Sequence, residues 1–359
     1  MLPYVAFYLF LVFAASLKVS RGVNLLFLGV FGIALLLFMG TRYWVGCDYF
    51  GYLMRFDRID YSGDISAYAL MEEPGFHLLN FLVHSLDLEY VWLIFFSSLI
   101  IVVCMIRFSL LYPRSLMVLA LFFPVLVVQL GMSGLRQAIA VSFLMLSLVY
   151  FCKGSKLGTA VVILLATTFH QSAAMFLPIA FLAGRDVSAK KLLIIFLLAS
   201  PLVALLLGDR LSVYQDRYID QIYGEVSSGG ALIRFILLLI PCAMFFWKQS
   251  QMKERYPDLF PMMNLFMLIT IALIPVAVMS SIALHRIIYY VMPVSILVFL
   301  YASPMVFSRR FVRVAIYAPA IIYGVYMLSW FSTSRHANIC YVPYQSELMI
   351  SGPGYRSNF

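Results

Sequence analysis

Apolar runs of 16 to 21 residues recur along almost the whole chain, separated by short polar turns. About 20 such residues are enough to carry an α-helix through a bilayer. Inside lipid every backbone donor needs an internal partner, so these runs must be helical. Only 11% of the residues are charged, against roughly 25% in soluble domains. The fold class that follows is an all-α polytopic membrane protein. The net charge of +9 is spread over short loops between the runs. That is the distribution of membrane topology; a nucleic-acid-binding face would gather it on one surface.

Runs at 2–17, 23–41, 90–110, 115–130, 135–151, 191–207, 231–247, 260–280, 286–305 and 311–331 predict single spans. The first has no positively charged leader and reads as a retained span, not a cleaved signal. Residues 75–86 are too short to cross and predict an interfacial or re-entrant helix. The stretch 157–183 is interrupted by Phe-His-Gln-Ser at 169–172, which predicts two half-spans meeting in a broken helical hairpin. About twelve crossings result, in a single transmembrane domain over 1–331 with outer loops at 42–74 and 208–230 and a polar C-terminal tail, 332–359. With the loop at 18–21 in the cytoplasm, all seven lysines fall inside, as the positive-inside rule expects. Both termini then face outwards.

This topology gathers the remaining polar residues at the outer level. Arg42 ends the second span, with Asp48 close behind it; Glu73 opens the short helix. Arg136 and Gln137 begin the fifth span after Gly-Met-Ser-Gly, and His170 sits at the tip of the broken hairpin. Arg210, Arg217 and Tyr218 lie in the second outer loop, and His285 and Arg286 open the eleventh span. All ten outer cations are arginine. A guanidinium pairs bidentately with phosphate or carboxylate and keeps its charge where the dielectric is low. The expectation is a pocket for an anionic, phosphorylated ligand. Ionisable groups in spans are functional candidates by default, although an arginine can also snorkel to the headgroups. His170 is the candidate base, since an imidazole near neutral pKa can take a proton from a hydroxyl. Asp48 and Glu73 are alternative bases, or partners that orient the arginines. No DxD or histidine cluster suggests a divalent metal, and no cofactor fingerprint stands in a convincing context. Of the five cysteines, Cys47 and Cys340 can pair only where both face an oxidising compartment.

Taken together, Arg42-x3-Gly46-x-Asp48-Tyr49-x2-Tyr52, Glu73-Pro74-Gly75-Phe76, Leu135-Arg136-Gln137-x-Ile139-Ala140, Phe169-His170-x-Ser172 and Arg286-x2-Tyr289-Tyr290 resemble the EpsG family of polysaccharide-biosynthesis proteins, relatives of the Wzy-type O-antigen and capsule polymerases. The resemblance implies a bacterial inner-membrane glycosyltransferase that joins undecaprenyl-diphosphate-linked oligosaccharide repeat units at the periplasmic face. It implies a fold similar to the metal-independent, lipid-sugar-using (GT-C-type) membrane glycosyltransferases. It also implies partners: a Wzx-type flippase, a Wzz-type chain-length regulator and the lipid bilayer, with no nucleic acid. In that chemistry Arg136 and Arg286 hold the diphosphate with Arg42 assisting, His170 is the base, and outer tyrosines stack on sugar rings. A transporter or flippase for lipid-linked sugars and an outer-leaflet O-acyltransferase are the alternatives that the same residues allow.

Overall fold

The computed structural model describes residues 1–58, 72–195, 197–198, 229–307 and 311–349. Among these residues every regular element is a helix, and one isolated antiparallel bridge pairs Arg42 with Ser346. Seven helices are long and apolar enough to cross a membrane: Arg21–Gly40, Tyr90–Ser109, Leu135–Cys152, Gly230–Trp247, Phe260–Met279, Ser281–Val306 and Val314–Thr333. Four more apolar helices are shorter: Leu2–Ser16, Ser115–Gly131, Lys156–Phe169 and Gln171–Leu182. Most of the expected span 191–207, and nearly all of the loop 208–230, lie outside the described residues. The short segment after Glu73 is a helix of 12 residues, Pro74–Ser85.

The chain divides into two units, the first comprising Met1–Ser142 and Ile322–Phe359. In it Leu2–Ser16 packs on Ser115–Phe122, and Arg21–Gly40 packs on Tyr90–Ser109. Ser20 caps Arg21–Gly40 by accepting from the Val23 N–H, which satisfies one of its orphan donors. Rings of Tyr4, Phe7, Phe38, Phe123 and Tyr344 fill the centre. Past Phe122 the coil widens into a π-helix, Phe123–Gly131. Pro124 stands at its start, where it cannot donate the N–H that an α-helix would use. Near the end of the wider coil, the side-chain and backbone oxygens of Gln129 accept from the hydroxyls of Tyr326 (3.0 Å) and Tyr341 (3.3 Å).

The second unit is Phe143–Ile321. Its axis is Ser281–Val306, buried without interruption from Ile288 to Ser303 and packed against Gly229–Trp247 and Phe260–Met279. This helix starts earlier than the expected 286, because the Ser280 hydroxyl caps it by accepting from the Ala283 N–H at 3.2 Å. His285 and Arg286 therefore lie more than a turn inside the helix and do not open it. The stretch expected as a broken hairpin is an α-helix, Lys156–Phe169, and a 3-10 helix, Gln171–Leu182, packed against each other. At one end of this unit the Asn264 amide donates to Asp186 Oδ1 and to the Val187 carbonyl, both at 2.8 Å. Lys253 meets the same carboxylate at 2.8 Å.

Candidate functional site

In the first unit the site begins with a close approach of two loops. Gly46 has a φ of +106°, and a Cβ there would lie 1.8 Å from the Met132 carbonyl oxygen. Only glycine allows both that dihedral and that contact. The approach lets Ser133 Oγ accept from the Asp48 N–H at 3.3 Å. It also brings Tyr49–Arg58, a short helix, against the start of Leu135–Cys152, where the Tyr52 hydroxyl accepts from the Arg136 N–H at 3.4 Å. A first-turn N–H has no partner within its own helix, so this bond fixes how the helix begins.

Arg136 then reaches Glu73. Its Nη1 donates to Glu73 Oε2, and its guanidinium lies 5.8 Å from the centroid of the Tyr52 ring. Glu73 has a left-handed backbone (φ 57°, ψ 57°), unusual outside glycine, and so turns its carboxylate back from the start of Pro74–Ser85. The two partners differ in access: the Glu73 side chain is 8% exposed and that of Arg136 32%. The arginine thus keeps a solvent-accessible edge while its carboxylate partner is enclosed. His77 stands one turn beyond Glu73; burial, with Arg136 and Arg55, holds its imidazole below the ordinary value, against the opposing pull of Glu73.

Arg42 is differently engaged. It is 1% exposed and donates through Nη1 to the Met39 carbonyl (2.6 Å) and through Nε to that of Val45 (3.1 Å). Burial lowers its pKa, while Tyr90 and Tyr49 pull the other way. The chain around it is laced to the C-terminal residues. Tyr43 N–H donates to the Gln345 carbonyl (3.0 Å), Gly46 N–H to that of Cys340 (2.7 Å), and Glu347 N–H to that of Thr41 (2.7 Å). A disulfide joins Cys47 to Cys340. Cys47, Cys340 and His336 also lie close enough to share a metal ion, but both sulfurs are spent in the disulfide and offer no thiolate.

In the second unit the Lys156–Phe169 helix stops at Phe169 and the chain extends at His170 (φ −155°). His170 is 7% exposed, and its N–H closes the helix by donating to the Ala166 carbonyl at 3.1 Å. Two residues on, Ser172 Oγ lies 2.9 Å from the Tyr290 hydroxyl, so the break is tied to the central helix. One turn before Tyr290 on that helix are Arg286 and His285. His285 Nδ1 lies 2.5 Å from Nη2 of Arg234, a residue 5% exposed on the Gly229–Trp247 helix. A guanidinium only donates, so Nδ1 accepts and the proton of the neutral ring sits on Nε2. The same guanidinium stands 5.6 Å from the centroid of the Tyr289 ring.

The first unit therefore brings together Arg136, Glu73 and, through the Ser133 loop, Asp48, with Gln137 buried in the same helical turn. The second brings together Arg286 and His285 and carries His170. Arg210, Arg217 and Tyr218 lie outside the described residues. Arg234 was counted from the sequence only as one of the ten outer arginines, and Tyr52 only as part of the Arg42–Tyr52 motif; neither they, nor His77, nor the carbonyl partners of Arg42 were assigned a place in the site. Arg234 carried a usable signal, an arginine entering an apolar run. Beside this geometry stands one finding from known proteins. A family model described as the EpsG family matches residues 25–346. No curated protein and no solved structure matches the chain.

Proposed function

The chain belongs to the EpsG family, a family associated with exopolysaccharide biosynthesis, and on that basis we propose that it is a polymerase of lipid-linked repeat units. In this reading it lies in a bacterial inner membrane and crosses it about twelve times. The four shorter apolar helices and the run at 191–207 would supply the crossings beyond the seven long helices. Its fold is of the GT-C type, and its site faces the periplasm. The Cys47–Cys340 disulfide supports that orientation, because such bonds persist in oxidising compartments.

The reaction moves a growing glycan from its undecaprenyl diphosphate to a hydroxyl of the next repeat unit. The acceptor oxygen forms a bond to the anomeric carbon, and the bond from that carbon to the diphosphate oxygen breaks. The diphosphate leaves with the electron pair, and the acceptor proton passes to a base. Charge develops on the leaving group, so fixed cations aimed at it lower the barrier. Arg136 is the first choice: it is oriented by Glu73 and Tyr52 and retains an exposed edge. That is the observation on which the reading rests. Arg286 is the second cation, beside the Arg234–His285 pair. His170 is the base, at an irregular point of the backbone of the kind tolerated where a cavity is lined. Glu73 orients Arg136, the main chain of Asp48 ties its loop to Ser133, and Arg42 fastens that loop. A flippase of the Wzx type would supply the substrate, and a regulator of the Wzz type would set chain length.

The test is chain lengthening by purified protein in nanodiscs given undecaprenyl-diphosphate-linked repeat units and no energy source. Product ladders are expected from the wild type and are absent from Arg136→Ala and His170→Ala at equal protein level. Movement of the lipid-linked unit across a bilayer without lengthening would instead identify a transporter.

A further inference from the structure

Between the buried Arg42 and the disulfide at Cys47 the backbone does something costly. Trp44 has a φ of 53°, a left-handed conformation that a bulky residue seldom adopts. Such strain persists only where surrounding structure over-determines it, and it concentrates at functional sites. Here the surroundings are fixed on both sides, by the Tyr43–Gln345 and Gly46–Cys340 backbone bonds and by the disulfide. The outcome is an indole turned outward and 40% exposed.

A second ring joins it. Phe50 is 52% exposed, and its ring stacks on Trp44 with centroids 5.8 Å apart and planes 21° from parallel. Tyr49, almost wholly buried, backs the indole at 5.7 Å. Asp48 lies between the two exposed residues in sequence; it is itself exposed and forms no ion pair among the described residues. Its main chain is anchored to Ser133, so the carboxylate is presented from a fixed point.

Rigid aromatic faces beside an accepting carboxylate match one ligand chemistry well. A pyranose has an apolar face of axial C–H bonds and a rim of hydroxyls: the face lies on an aromatic ring while the rim donates to the carboxylate. A phosphate would be repelled by Asp48. A lipid chain needs neither a carboxylate nor a ring held in a strained setting. We propose that Trp44, Phe50 and Asp48 form a glycan-binding platform that takes one sugar ring of the saccharide being joined. The platform rests on the reading of the chain as a glycan-joining enzyme and adds a saccharide subsite to it.

Calorimetric titration of the full chain in nanodiscs tests this. The probe is the oligosaccharide mixture obtained by partial acid hydrolysis of the host cell's own surface polysaccharide. Trp44→Ala and Phe50→Ala are each expected to weaken binding roughly tenfold, the loss of one stacked ring. Trp44→Tyr is expected to stay within about threefold of wild type, since a face remains. Alkylation of free thiols reports whether the disulfide, and hence the loop, is intact in each variant. Equal affinity of wild type and Trp44→Ala, both with the disulfide formed, would overturn the platform. Quenching of the Trp44 emission by brominated lipid, unrelieved by the oligosaccharides, would overturn it too and place the ring among lipid chains. Oligosaccharide binding that depends on Trp44 but leads to no lengthening would sink the polymerase reading and leave the platform standing.

Discussion

Replacing Gly46 by alanine tests whether the loop approach organises the first unit. The added Cβ would sit 1.8 Å from the Met132 oxygen, where a carbon and an oxygen need roughly 3.3 Å. The neighbour is backbone and cannot rotate away. One of the two loops must shift by more than an ångström, breaking the Asp48–Ser133 bond and drawing Tyr52 off the Arg136 N–H. Left-handed strain at a residue with a side chain costs about 1–3 kcal/mol. Overpacking adds about 1–3 kcal/mol. The expected destabilisation is therefore about 2–6 kcal/mol, a large part of the roughly 5–15 kcal/mol by which domains are stable. Gly51 supplies the control, since nothing stands within 4 Å of its Cβ position and it lies in the Tyr49–Arg58 helix. There alanine should be neutral or stabilise by about 0.5–1 kcal/mol. Thermal unfolding in detergent, with alkylation to count thiols, reads both variants. If Gly46→Ala melts with the wild type and keeps Cys47 joined to Cys340, the loop approach does not have the importance given to it.

Four further outcomes are expected. Arg136→Lys keeps the charge but not the planar fork, so polymer should be lost in a complemented deletion strain at unchanged protein level. Thiol labelling of denatured wild type should find three reactive cysteines without reductant (104, 152 and 242) and five with it; Cys340→Ser should cost about 2–5 kcal/mol in unfolding stability. Asn264→Leu strips a buried donor from Val187 and Asp186 and should cost about 1–3 kcal/mol, whereas Lys253→Ala, at an exposed pair, should cost no more than about 1 kcal/mol. His77 has a lowered pKa in the fold, so as pH falls through about 6.5 the unfolded chain takes its proton first. Stability is then full above that pH and declines below it, and His77→Gln should flatten the decline between unfolding curves at different pH.

What could be read from the chain and what could not divide along a physical line. Apolar length carries the helices because lipid leaves no other backbone solution. The break at His170 was legible for the same reason, since Phe-His-Gln-Ser interrupts hydrocarbon. The start of Ser281–Val306 was not, because the eye stops at the charge of Arg286 while the chain is capped earlier by Ser280. Arg234, the partner of His285, lies 51 residues away from it in the chain, beyond the reach of any local pattern. The Cys47–Cys340 bond spans 293 residues, and no spacing rule reaches that far.

The arginines show the limit most sharply. A sequence counts guanidiniums but not the bonds their N–H groups already make. Arg42 and Arg136 look alike on paper, each beside a span and each in a motif. In the fold Arg42 is 1% exposed with Nε and Nη1 turned to backbone carbonyls, so removing its charge should act through the loop it fastens. Arg136 holds one carboxylate and leaves a third of its side chain accessible, so its removal should act on whatever anion arrives. Comparing the two alanine variants separates these roles. Arg42→Ala should lower the unfolding temperature and leave a fraction of Cys47 and Cys340 never joined, while Arg136→Ala should leave the disulfide formed and the polymer absent. If Arg136→Ala instead left the two cysteines unjoined as Arg42→Ala does, both arginines would be fasteners, and the anion site would have to be sought in the second unit.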